Sequence, residues 1–267
     1  MRPFLLLACA TLCAATAPAA QIGAGLGTYA LDYARDDAEP VPTFDGGVLA
    51  GGFYSETGLF QVFYGSDAQP SAPGSDASVL GLDLLTTGAI PITTLGDDVE
   101  VTLFVPLGLN LGYRYLRAEP VSLGGASADD RQTLHLGLGA LRLGGGASAA
   151  VPLEGTPLGR RLTGSAALMA GAGALSDFDP LAAGNQIGGA EADGIDVYGL
   201  HTTTLSLHGR LDGLAGTALG LTLGYTLRSA RASPDELESF GDLVGVVTSS
   251  GYDRFERLHL VYVGLVF

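Results

Sequence analysis

The chain contains no lysine: all 13 of its basic residues are arginines, set against 28 acidic residues for a net charge of −15. A nucleic-acid-binding surface needs clustered positive charge, so that class is disfavoured. The acidity speaks to a strongly solvated surface rather than to a fold. Cysteine is almost missing as well. Cys9 and Cys13 both fall in the N-terminal segment, and the rest of the chain has none, so disulfides and thiol chemistry contribute nothing beyond that segment. Long apolar runs are also lacking. Hydrophobic residues make up 47% of the chain, yet past the N-terminus no stretch offers the run of about 20 apolar residues that a membrane helix needs. Apolar content without apolar runs implies alternation, and alternation implies strands.

The N-terminal segment reads as a secretory signal. Arg2 precedes the apolar stretch Phe4-Leu5-Leu6-Leu7-Ala8-Cys9-Ala10, and small residues continue to Ala17-Pro18-Ala19-Ala20. A basic start, a short apolar core and an Ala-x-Ala site predict cleavage after Ala19 or Ala20. Residues 1–20 are therefore expected to be a signal peptide and residues 21–267 one β domain. Leu6-Leu7-Ala8-Cys9 has the look of a lipoprotein box, but it comes too early to leave room for a membrane-crossing signal.

Alternation is cleanest between Val99 and Tyr115. Odd positions from Val99 through Leu111 to Tyr113 and Tyr115 are all apolar or aromatic. Even positions, Glu100, Thr102, Phe104, Pro106, Gly108, Asn110, Gly112 and Arg114, are mostly small or polar. Period two places the two sets on opposite faces of one long strand. Leu80, Leu82 and Leu84 oppose Asp83, and Leu219, Leu221, Leu223, Tyr225 and Leu227 oppose Gly220, Thr222, Gly224, Thr226 and Arg228. Between Leu134 and Leu143 the leucines change parity, which predicts a β-bulge near Gly139-Ala140. Gly-Ala-Gly-Leu-Gly at 23–27 is not a nucleotide loop, because it lacks Gly-x-Gly-x-x-Gly spacing and has no helix behind it.

Counting segments gives ten strands, at about 21–33, 44–54, 57–65, 78–94, 98–117, 131–152, 159–175, 195–211, 215–230 and 252–267; eight or twelve are the alternatives. Short connections at Glu56-Thr57, Gly96-Asp97, Gly155-Thr156-Pro157 and Asp212-Gly213 alternate with long ones near 34–43, 66–77, 118–130, 176–194 and 231–251. Short turns at one end and long loops at the other describe an antiparallel up-and-down transmembrane β-barrel. The C-terminus adds to this. Phe267 ends an apolar strand in phase with Val261, Val263 and Leu265, and the ending resembles the C-terminal signal of bacterial outer-membrane β-barrel proteins. That resemblance implies insertion through the barrel-assembly machinery, outer-membrane lipids as surroundings, an outer-membrane location and a monomer. It implies no cofactor.

The ionisable residues expected on the lumen face are Asp83, Glu100, Arg114, His135, Arg142, Arg161, His208, Arg210, Arg228, Arg254 and Glu256. In a narrow barrel such groups pair into networks that fill the interior, whereas an arginine cluster can instead give a pore an anion preference. The leading expectation is a non-enzymatic barrel, either a narrow porin or a structural and surface-display protein. The alternative is a barrel enzyme resembling the omptin proteases or the lipid A deacylases. For it His135, placed on the lumen face near Asp129-Asp130, is the candidate base, while His201 and His259 are expected to face lipid. The acidic loops, such as Asp36-Asp37 and Asp235-Glu236, lack the EF-hand pattern, and no metal site is expected.

Overall fold

In the computed structural model the structure describes residues 21–32, 43–55, 58–67, 75–96, 99–120, 132–153, 156, 159–178, 195–237 and 253–267. The expected signal peptide and most of the long acidic connections lie outside these residues. Ten strands are present: β1 (Gln21–Leu31), β2 (Phe44–Ser55), β3 (Gly58–Asp67), β4 (Ser75–Leu95), β5 (Glu100–Pro120), β6 (Gln132–Pro152), β7 (Arg161–Phe178), β8 (Ile195–Asp212), β9 (Gly220–Glu236) and β10 (Asp253–Val266). Each pairs antiparallel with its sequence neighbours, and β1 pairs with β10 from Gln21↔Val266 to Leu31↔Glu256, which closes the barrel. Closure leaves no open edge to satisfy, the condition for a sheet to stand in lipid.

The short connections are built on chemistry visible in the sequence. Gly96 and Gly213 take φ of +92° and +73°, a region that glycine enters without steric cost. β9 starts later than the alternation suggests. Leu214–Gly216 forms a single 3₁₀ turn, closed by Thr217, whose N–H and hydroxyl both donate to the Leu214 carbonyl at 2.9 and 2.7 Å.

The outer face is apolar on every strand. Leu26, Leu49, Phe60, Leu84, Leu107, Leu141, Leu168, Leu207, Leu223 and Val263 are each more than two-fifths exposed, as are Leu265 and Phe267. On β5 the outward run from Val101 to Leu111 spans about 33 Å along the strand, or about 25 Å along the axis at the usual tilt of about 40°. That matches the height of the lipid-facing band of a membrane barrel. Tyr113 and Tyr115 follow at the end nearest the long connections, where the ring body meets apolar surroundings and the hydroxyl meets water.

The inner face holds the core. Toward the long connections Leu31, Phe44, Val48, Phe63, Val79, Leu116, Leu134, Leu136, Leu175, Leu200 and Leu258 are all under 5% exposed and form one apolar cluster. Inward glycines accommodate it. Phe63 leans over its cross-strand partner Gly81, Leu138 over Gly112, Phe104 over Gly146 and Tyr262 over Gly224, so a Cβ at any of these glycines would collide with that side chain. Small and large residues face each other across strand pairs, and the narrow interior fills with side chains.

The predicted bulge near Gly139-Ala140 is not there. β6 keeps an unshifted register with β5 and with β7 throughout. Leu134, Leu136 and Leu138 point inward into the apolar cluster, while Leu141 and Leu143 are 68% and 57% exposed on the outer face. The change of parity arises because this barrel has apolar residues on both faces at different heights. Single cysteines at positions 138 and 141, carrying nitroxide labels in lipid vesicles, test this: the label at 141 should be relaxed strongly by dissolved oxygen and the label at 138 weakly. Equal relaxation at the two sites would restore the bulge.

Candidate functional site

Alternation brings a set of ionised side chains to the inside, next to the apolar cluster. Asp83 stands on β4, Arg114 on β5, Arg228 on β9 and Glu256 on β10, so two adjacent strands on one side of the barrel face two on another. Arg114 is fully buried and uses all its donors. Nε donates to Glu256 Oε2 at 2.8 Å, and Nη2 to Asp83 Oδ1 and Glu256 Oε1 at 2.8 and 3.0 Å. Nη1 donates to the carbonyls of Leu82 and Tyr113 at 3.0 and 2.9 Å. The guanidinium also lies 5.0 Å from the centre of the Phe63 ring.

Arg228 repeats the bridge from the other side. Its Nε donates to Glu256 Oε1 at 2.9 Å and its Nη1 lies 2.9 Å from Asp83 Oδ1. Its Nη2 is 2.7 Å from Glu256 Oε1, an ion-pair contact without hydrogen-bond alignment. The Tyr29 hydroxyl donates to Glu256 Oε2 at 3.2 Å, and the Tyr29 ring packs 5.0 Å from that of Phe63. Glu256 is therefore the hub, contacted from β1, β5 and β9. Charges removed this completely from water are costly unless paired and hydrogen-bonded, and here the pairing is dense.

Arg142 on β6 is also buried, 1% exposed, but its three guanidinium nitrogens have no hydrogen-bond partner among the described residues. The other sequence-predicted lumen residues sit elsewhere. Glu100 and Arg161 pair at 3.1 Å at the short-turn rim with both side chains 53% exposed, a contact worth little in water. Arg210 donates to Asp212 Oδ1 at 2.7 Å near the same end. His208 faces inward, hydrogen-bonded through Nε2 to Thr222 Oγ1 and stacked on Tyr262. The side chain of Arg254 lies outside the described residues.

His135 corrects an expectation. It stands at an odd position of β6, the outward phase, not on the lumen face. Its Nδ1 shares a 2.7 Å hydrogen bond with the Tyr113 hydroxyl, and its ring packs 4.9 Å from that of Tyr115. The misplacement follows from the bulge that the sequence suggested, which would have inverted this part of the strand. His259 on β10 makes the equivalent outward pair, with Tyr225 at 2.9 Å. Histidine and tyrosine thus form part of the outer rim. The acidic pair Asp129-Asp130 lies outside the described residues.

Tyr29, Thr202 and Thr204 are interior polar groups that the alternation did not single out, whereas Asn110 stands on the inner face of β5 as its phase predicts. Tyr29 was findable, since it shares the phase of Gly23, Gly25 and Gly27. The threonines were not, because His201 and Thr203 make both faces of β8 polar at that height.

Glu256→Ala should leave Arg114 and Arg228 without their main acceptor, a loss of about 3–5 kcal/mol for breaking a buried pair. Urea unfolding in lipid vesicles should show it. A change below about 1 kcal/mol would mean that water already solvates the cluster.

No protein-family model matches the chain, and no curated protein does. Among solved structures it is similar to the outer membrane protease OmpT from Escherichia coli at 12% identity, with a TM-score of 0.36 over 95% of this chain and 99% of that one. It is also similar to the translocator domain of the autotransporter NalP from Neisseria meningitidis, at 13% identity and a TM-score of 0.26 over 100% of this chain and 95% of that one. A third is the Ralstonia pickettii toluene transporter TbuX, at 8% identity and a TM-score of 0.21 over 94% and 90%. At these values the likenesses carry no argument beyond what the strand pairing shows: the chain is a closed ten-stranded antiparallel barrel with an apolar outer face, the architecture of outer-membrane β-barrel proteins.

Proposed function

We propose that this protein is an integral barrel of the bacterial outer membrane whose interior is closed, and that it acts as a structural or surface-display element rather than as an open porin or an enzyme. The observation that carries the reading is the apolar cluster inside the barrel. Leu116, Leu136, Leu175 and Leu200 are fully buried there, in one cluster with Phe63 and Tyr29, whose rings also touch the ion pairs. A conducting lumen needs a continuous polar, hydrated lining. Leucines converging from β5, β6, β7 and β8 remove it.

Export through a cleaved signal and insertion by the assembly machinery belong to the same reading. Val261, Val263 and Leu265 face outward on β10 and Phe267 follows its end, with exposures from 48% to 56%, so an apolar stripe is open to a receptor before the barrel is embedded. Outer-membrane lipids are the proposed surroundings. Arg231 and Arg257 face outward at the long-connection end, with His201 paired to Arg231 across β8 and β9, and cations at that height suit anionic headgroups. The proposed state is a monomer, since closure satisfies every strand edge without a partner.

Planar-bilayer recording tests the closed interior. The native protein should give no stable conductance steps in either chloride or potassium gradients. Replacing Leu116, Leu136 and Leu175 together by glycine should produce steps. Steady ohmic conductance of the native chain, unaffected by those leucines, would replace this reading with a narrow porin.

A further inference from the structure

Around the ion-pair cluster the buried charges do not balance. At their ordinary charges Asp83 and Glu256 supply two negative groups there, whereas Arg114, Arg228 and Arg142 supply three positive ones; the third buried carboxylate, Asp177, stands six residues beyond Gly171 along β7, toward the long connections. The first four residues are paired with one another. The surplus falls on Arg142, the one whose Nε, Nη1 and Nη2 have no partner among the described residues. Removing an unpaired guanidinium from water costs far more than any packing of its stem returns.

The same region holds further unanswered polar atoms. Thr202 Oγ1, Thr204 Oγ1 and Asn110 Oδ1 are buried without hydrogen-bond partners. Register brings these groups together. Arg142 is opposite Gly108 on β5 and Gly171 on β7, and Gly171 is opposite Thr202 on β8. A Cβ on Gly171 would stand 2.7 Å from Arg142 Cγ and 2.8 Å from Thr202 Oγ1, and a Cβ on Gly108 would stand 3.3 Å from Arg142 Nη2. Two glycines thus keep side chains away from the guanidinium on both flanks. Asn110 lies one inward position from Gly108 toward the long connections, and Thr204 one inward position from Thr202 toward the short turns, so the two flank that row on opposite sides.

We propose that Arg142, with the hydroxyls of Thr202 and Thr204 and the amide of Asn110, forms an internal binding site for one small inorganic anion of chloride size. The anion completes the charge of the cluster and takes the hydrogen bonds that the four side chains offer. Hydroxyls rotate freely, and an amide presents its NH₂ group after a flip. Entry is from the short-turn side. In that direction β6 continues inward with half-buried Gly144, Gly146 and Ser148, whereas toward the long connections it continues with fully buried Ala140, Leu138 and Leu136. The site stands whether or not the barrel conducts, because it concerns a resting charge balance.

Crystals of the full chain soaked in sodium bromide test the proposal. The expected result is an anomalous peak within hydrogen-bond distance of the Arg142 guanidinium. In solution, once chloride exceeds its dissociation constant, each tenfold rise should multiply the folded-to-unfolded ratio about tenfold, with gluconate holding ionic strength constant. Arg142→Met should abolish that dependence. If this variant fails to fold, Thr202→Val keeps the shape of the side chain, removes one hydroxyl donor and should weaken the dependence while keeping the arginine. No bromide at Arg142, with only water or a carboxylate from an outer connection on the guanidinium, would overturn the proposal, as would chloride dependence unchanged in either variant.

Discussion

The carboxylate of Glu256 holds this barrel together from the inside. Two arginines and a tyrosine on three other strands converge on it, and Asp83 ties the same two arginines to β4. In a ten-stranded barrel the strands are already joined around the wall by backbone hydrogen bonds. A cross-lumen knot fixes something the wall alone leaves free, the shape of the cross-section. It also sets what can lie next to it. A guanidinium with every donor used has no further hydrogen bond to give, and Phe63, Tyr29 and the leucines of the apolar cluster can pack against it dry.

Glycine and alternation make that arrangement possible. A barrel of this width has too little interior for a large residue at every inward position. Placing glycine opposite each of Phe63, Phe104, Leu138 and Tyr262 gives each large side chain the volume of its partner's missing one. The outer face obeys a different rule, since lipid rewards apolar surface of any shape. One chain therefore carries two apolar surfaces, one packed and one lipid-facing, separated by the period-two geometry of its strands.

That double character explains what was legible in the sequence and what was not. Strand number, closure and the outward stripe ending at Phe267 could be read directly, because lipid-facing alternation repeats on every strand and turn glycines such as Gly96 and Gly213 mark the breaks. Asp83, Arg114, Arg228 and Glu256 could be placed inside by phase alone. Their pairing could not, since it joins residues 142 positions apart in the case of Arg114 and Glu256. β6 misled for a physical reason. Where leucine occupies both faces, as at Leu138 and Leu141, periodicity loses its contrast, and the phase of His135 is lost with it. The neighbouring strand β5 carries the missing information, because Tyr113 and Tyr115 set the outward phase that His135 joins.

The closed interior rests on a lumen that is dry at its middle and locked by ion pairs. The exchange of the Arg114 side-chain protons with solvent measures this most directly, by nitrogen-15 NMR of the full chain in micelles, with Arg114→Lys identifying the resonance. A dry, ion-paired lumen gives an Nε–H signal that persists above neutral pH with exchange orders of magnitude slower than free arginine, and that Glu256→Gln accelerates. Exchange at the free-arginine rate would contradict it, and would mean that water passes through the barrel.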